Sequence, residues 1–117
     1  MKPYVKSLAG AAVLAAALGL SSAAHAEAIV GKWKTQSGET AAIAKCGGSY
    51  CVTLRTGKYA GKRIGKMKGA GGSYKGSITD PSNDRNYSGS AKVSGKSMKM
   101  RGCALKVFCR TQTWRKL

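Results

Sequence analysis

Residues 87–114 (YSGSAKVSGKSMKMRGCALKVFCRTQTW) constrain the fold more than any other part of the chain. Short alternating runs separated by a Ser-Gly step and a cysteine-bracketed segment read as three antiparallel strands. A turn at Ser94-Gly95 predicts Ala91 opposite Met98, Gly89 opposite Met100 and Tyr87 opposite Gly102. A second reversal, with Cys103 opposite Cys109, brings Gly102 to Arg110, Met100 to Gln112 and Met98 to Trp114. Side chains alternate between faces along a strand, so both reversals put Met98, Met100 and Gly102 on one face. Ser88, Ser90, Lys92, Lys99, Arg101, Thr111 and Thr113 take the other. The expectation is a one-sided sheet, apolar within and basic without.

The first 26 residues read as a secretory signal. Lys2 and Lys6 supply a positive start, residues 8–20 an apolar run too short for a typical membrane span, and Ala24-His25-Ala26 a small-x-small cleavage site. No cysteine stands at the cleavage point to carry a lipid anchor. The sequence thus predicts a signal peptide over 1–26, a single domain over 27–117, no transmembrane segment in the mature chain, and a bacterial periplasmic or secreted location. A domain of that size buries only roughly 60–65% of its unfolded surface, and small exported domains often use disulfides in place of core. The spacings Cys46-x4-Cys51 and Cys103-x5-Cys109 each bracket a hairpin end, which favours pairing Cys46 with Cys51 and Cys103 with Cys109 among the three arrangements open in principle. A zinc ribbon would need tighter Cys-x2-Cys spacing and a reducing compartment, and no metal site is expected.

The remaining chain is rich in Gly, Ser and Thr, with short alternating runs and no long helical pattern, as in an all-β barrel or sandwich. Gly31-Lys32-Trp33 opens a strand running to about Gln36. Residues 39–45 and 50–56 form a hairpin in which Cys46 faces Cys51, Ile43 faces Leu54 and Ala42 faces Arg55. Residues 58–72, rich in Gly and Lys, hold a short strand near 62–66 and then a loop. Residues 73–79 pair onward with Ile78 opposite Tyr87, Gly76 opposite Gly89, Tyr74 opposite Ala91 and Asp80 opposite Arg85. Seven or eight short strands with one continuous inner face predict an antiparallel up-and-down β-barrel, since closure removes the edges of a small sheet.

Gly31-x-Trp33, Cys46-Gly47, Asp80-Pro81 with Tyr87-Ser88-Gly89, Arg101-Gly102-Cys103 and the run Cys109-Arg110-Thr111-Gln112-Thr113-Trp114 resemble the domain of unknown function 2147 family of exported bacterial proteins. The resemblance spans nearly all of residues 27–117 and is most specific in the C-terminal segment. It implies a lipocalin-like barrel and supplies no activity. An early Gly-x-Trp and a late Arg also resemble lipocalins, where the Trp packs across the floor beneath the Arg. On that likeness Arg110 or Arg115 would sit with Trp33.

The inward set is Trp33, Ile43, Leu54, Tyr74, Ile78, Tyr87, Met98, Met100, Arg110, Gln112 and Trp114. Most of these read as core. Arg110 and Gln112 are polar, and buried charges are rare unless paired. Two accounts of Arg110 stand side by side. It holds the acidic head of a ligand in the lumen, with Gln112 and Tyr87 as hydrogen-bond donors and Trp114 and Trp33 nearby, or it stacks on Trp33 or reaches a buried carbonyl. Gly76, Gly89, Ala91 and Gly102 either leave room for a ligand or let the walls close together.

Removing Lys2 and Lys6 from the 21 Lys and Arg leaves 19 against 4 acids, a net charge of +15 over residues 27–117. Such a surface attracts polyanions. In an exported protein these are anionic glycolipids, phospholipids and envelope polymers more than nucleic acid, for which only Tyr50 and Tyr59 offer exposed stacking. Asp80 and Asp84 fit an Asp-Pro turn with an Asp80–Arg85 pair better than a calcium loop. No histidine lies in residues 27–117 and the cysteines read as paired, so no catalytic triad or dyad is expected, and no cofactor. Three functions remain: a non-catalytic barrel binding a small amphipathic or acidic ligand, an envelope-interaction protein using Lys75, Lys92, Lys99 and Arg101 on anionic glycolipid or polymer, and an inhibitor of an acidic hydrolase. The oligomeric state is not encoded in any of these features.

Overall fold

A computed structural model describes residues 27–117 apart from Lys106; the predicted signal segment lies outside the described residues. Eight strands follow in chain order: β1 (Gly31–Lys34), β2 (Thr40–Cys46), β3 (Ser49–Leu54), β4 (Arg63–Ala70), β5 (Ser73–Asp80), β6 (Arg85–Ser94), β7 (Ser97–Ala104) and β8 (Phe108–Lys116). Each pairs antiparallel with the next, and β1 pairs with β8 to close the barrel. The all-β, up-and-down barrel expected from the alternation is the architecture found.

The registers of β5 with β6 and of β7 with β8 are those predicted, including Ile78 with Tyr87, Gly102 with Arg110 and Met98 with Trp114. Two others differ by two residues. In β6–β7, Ala91 faces Met100 and Gly89 faces Gly102, because the turn is Gly95-Lys96 rather than Ser94-Gly95. Gly95 has φ +60° and stands first in a two-residue turn, as a type II′ turn requires. In β2–β3, Ile43 faces Val52 and Ala41 faces Leu54, and Cys46 lies opposite Ser49 rather than Cys51. The tight Gly47-Gly48 turn sets this register. The Cys46–Cys51 disulfide is consequently diagonal, with Cα atoms 5.8 Å apart, whereas Cys103 and Cys109 are direct partners. Both pairings are as expected, and none of the four cysteines is free. A slip of two leaves every side chain on its original face, so the inner surface is unchanged.

Residues 58–72 were expected to be mostly loop, yet β4 runs to Ala70 and reverses at Gly71-Gly72. Its low apolar content hid it: only Ile64 and Met67 anchor it to the core. β1 ends at Lys34, short of Gln36, and the Gln36 side chain instead accepts a hydrogen bond from the Thr113 backbone N–H (2.9 Å) across the seam. Asp80 and Arg85 are backbone partners but form no ion pair; the Asp80 carboxylate accepts bonds from the Ser82 backbone N–H and hydroxyl. Asp84 pairs with Lys62 instead (2.7 Å).

The core holds Trp33, Ile43, Val52, Met67, Tyr74 and Met98, all essentially fully buried, with Ile29 ahead of β1. Tyr50 and Tyr59 pack against it rather than standing free, because Tyr50 shares the inward face of Val52 and meets Tyr74 edge-on. The glycines divide in function. A Cβ on Gly76 would run into the Lys66 carbonyl of the adjacent β4, and one on Gly89 would lie 2.6 Å from Ile78 Cγ1 of the adjacent β5, so these two admit close contact between neighbouring strands. At Gly102 the nearest atoms would be 3.8 Å away.

Candidate functional site

An up-and-down meander sorts its connections by end. The turns at 47–48, 71–72 and 95–96 lie at one end, with both ends of the described chain. The connections at 35–39, 55–62, 81–84 and 105–107 lie at the other.

The first end is closed. Residues 27–30 cross it: Trp33 Nε1 donates to the Ile29 carbonyl (2.9 Å), the Tyr74 hydroxyl to the Glu27 carboxylate (2.7 Å) and Lys116 Nζ to the Ala28 carbonyl (3.1 Å). Lys116 Nζ also stands over the Trp33 ring, 5.3 Å from its centre. The cation on the floor tryptophan is therefore Lys116, neither Arg110 nor Arg115. Parity explains the correction. Lys116 shares its face with Trp114 and pairs with Trp33 across the seam, Arg115 has the opposite parity, and Arg110 is six residues up the strand. The alternation Gln112, Trp114, Lys116 carried that signal in the sequence. Burial, and then the bond to Glu27, raises the Tyr74 pKa.

The second end opens into a cavity of about 530 Å³. Its depth is apolar, formed by Leu54, Ile64, Met100 and Trp114, all buried. Tyr87, Gln112 and Arg110 line it toward the mouth, so four of the five sequence-derived candidates come together there. Trp33 does not line it, being held in the floor. Trp114 Nε1 donates to Gln112 Oε1 (3.0 Å), which orients the amide so that its NH₂ is left to donate elsewhere. Arg110 is exposed.

Sequence reasoning missed the acids of the mouth. Glu39 and Asp80 both line the cavity. Hydrogen bonds from Ser37 and then Thr35 hold the Glu39 pKa below the usual carboxylate range, and the Ser82 hydroxyl and backbone N–H do the same for Asp80. Both carboxylates are thus ionised near neutral pH, and the mouth presents one guanidinium and two carboxylates around an apolar interior. Both residues lie in connections or at a strand end, where alternation gives no direction for a side chain.

The outward side of β4–β7 carries Lys66, Lys68, Lys75, Lys92, Lys99 and Arg101, all exposed. The registers set Lys68 directly opposite Lys75 and Lys92 directly opposite Lys99. Ser77, Ser88 and Ser90 fill positions between them, and no acid lies on this face.

These features define a small, disulfide-stapled antiparallel barrel, closed at one end and hollow at the other. The family described as "Uncharacterized protein conserved in bacteria (DUF2147)" matches residues 52–116, more than half of the chain, and the chain belongs to that family. The match begins within β3, so Gly31-x-Trp33 and Cys46-Gly47 lie outside it, while the whole C-terminal run lies within. No curated protein and no solved structure matches the chain.

Proposed function

We propose that this protein is a non-catalytic, exported carrier that holds a small amphipathic molecule in the open half of its barrel. The observation that carries the reading is the cavity itself: about 530 Å³, apolar in depth, with Arg110 and the Gln112 amide in its wall. That volume falls within the range of roughly 300–1,000 Å³ usual for small-molecule sites. An apolar tail would lie against Met100 and Trp114, and an acidic head would meet Arg110 on the β7–β8 side. Glu39 and Asp80 would repel a purely anionic head placed at their part of the mouth and favour one that also carries a positive group. Export is supported by the signal-like residues 1–26, by two disulfides and by the bacterial family. A non-catalytic role is supported by the lack of histidine in residues 27–117 and by the pairing of all four cysteines.

The test is titration with alkyl carboxylate and alkyl zwitterion probes, followed through Trp114 fluorescence. Arg110→Ala should weaken the carboxylate probe by about tenfold, the worth of one charged hydrogen-bond partner, and the zwitterion by less. Absence of binding by either probe, with no lipid in extracts of the purified protein, would sink the reading.

A second reading is favoured by one specific observation, the two lysine pairs set directly opposite each other. Like charges so placed destabilise a sheet, and an acid-free wall that keeps two such pairs suits a phosphate-bearing envelope polymer or glycolipid. Salt distinguishes the two readings, since wall binding should collapse as ionic strength rises while an enclosed apolar ligand should stay.

A further inference from the structure

The connection between β7 and β8 is the one place where the described surface gathers large apolar side chains. Leu105, Val107 and Phe108 are 83%, 71% and 70% exposed. Singly exposed apolar residues are ordinary, but three at one hairpin tip form a patch that needs an account. Leu105 also has φ +52°, a left-handed backbone conformation that branched apolar residues rarely adopt. The chain thus accepts an unfavourable backbone at the most exposed of the three apolar side chains. Immediately below, the Cys103–Cys109 disulfide joins direct partners and holds together the two strand ends that carry Leu105, Val107 and Phe108.

We propose that this tip inserts into the interface of an anionic lipid bilayer and seats the barrel mouth against it. Charge complementarity selects this occupant. The mouth end carries Arg55, Lys58, Lys62, Arg63, Arg85 and Arg110 against Glu39, Asp80 and Asp84, and residues 27–117 together carry a net charge of +15. Basic residues around a short apolar wedge are the combination that binds anionic membrane surfaces, with the apolar side chains entering the headgroup boundary and the cations meeting phosphates. Phe108 belongs both to the patch and to the cavity lining, so docking at the tip places the open cavity next to the acyl chains.

The test uses purified, oxidised protein with mixed phosphatidylethanolamine–phosphatidylglycerol vesicles, and with phosphatidylcholine vesicles for comparison. The protein should co-sediment with the anionic vesicles and bind them at least about tenfold more tightly than the L105S/V107S/F108S variant, given the gain from burying such side chains. A Phe108→Trp variant should shift its emission to the blue on vesicle addition and be quenched by brominated acyl chains. Near-UV circular dichroism verifies that both variants keep the barrel. No vesicle binding, unchanged binding by the triple variant, or unquenched Phe108→Trp would each overturn the proposal, the first pointing to a protein partner and the second to attraction by the basic wall alone. Probe binding in the cavity is a separate readout, so either proposal can fail without the other.

Discussion

Lys116 Nζ stands 5.3 Å above the centre of the Trp33 ring, on the single strand pair that closes the barrel. That seam has only two residue pairs, Trp33 with Lys116 and Lys34 with Arg115. The same ammonium donates to the Ala28 carbonyl, tying the floor segment to the seam. A cation over a tryptophan and one hydrogen bond together suggest that Lys116→Ala costs about 1–2 kcal/mol. Urea unfolding followed by circular dichroism measures it. Lys116→Met, which keeps the apolar stem, should recover part of the loss, and an unchanged midpoint for Lys116→Ala would show that the seam does not depend on this contact.

Two glycines on the inner face should behave in opposite ways. Gly89→Ala forces a methyl to 2.6 Å from the Ile78 side chain and should destabilise by about 1–3 kcal/mol through overpacking. Gly102→Ala meets nothing closer than 3.8 Å and should leave stability nearly unchanged. Because Gly102 lines the cavity, the larger Gly102→Val should weaken an alkyl probe without shifting the unfolding midpoint. Calorimetry on the three variants separates the effects.

The lysine wall predicts a gain of stability from the loss of a charge. Lys92→Glu turns the Lys92–Lys99 repulsion into an attraction and should stabilise the barrel by about 0.5–1 kcal/mol. If the wall binds polyanions, the same variant should elute earlier from a heparin column and lose affinity for a phosphate-bearing polymer. A variant both more stable and unchanged in polymer binding would dismiss the second functional reading.

Stability should be nearly flat from about pH 5 to pH 9, because no histidine titrates within residues 27–117. Glu39 and Asp80 have depressed pKa values in the fold. Their contribution is therefore present above the ordinary carboxylate range and disappears as pH falls through the depressed values. Tyr74 has a raised pKa, so its contribution is present below the ordinary tyrosine range and disappears as pH climbs through the raised value. Thermal melts across pH should show these two shoulders. Ser37→Ala should remove part of the acid one, and Tyr74→Phe the alkaline one.

Fold and inner face were legible in the sequence because they rest on parity. Alternation in β6, β7 and β8 assigned Met98, Met100, Gln112 and Trp114 to one face, and an error of two residues at Gly95 and at Gly47 left that assignment intact. What parity does not encode was missed. β4 has too few apolar residues for its period to show, the side chains of Glu39 and Asp80 are aimed by local hydrogen bonds, and the register of the closing seam, which sets Lys116 rather than Arg110 or Arg115 against Trp33, joins the first strand to the last. The candidate site was readable where strands build it and unreadable where connections do.

The floor holds both Glu27 and Leu117, whose backbone N–H donates to the Lys32 carbonyl. An affinity tag or a solid support joined to the barrel directly at either end of residues 27–117 starts from the face opposite the mouth. The protein can thus be tethered, displayed or fused at either terminus while the cavity and its apolar tip stay turned toward whatever they meet.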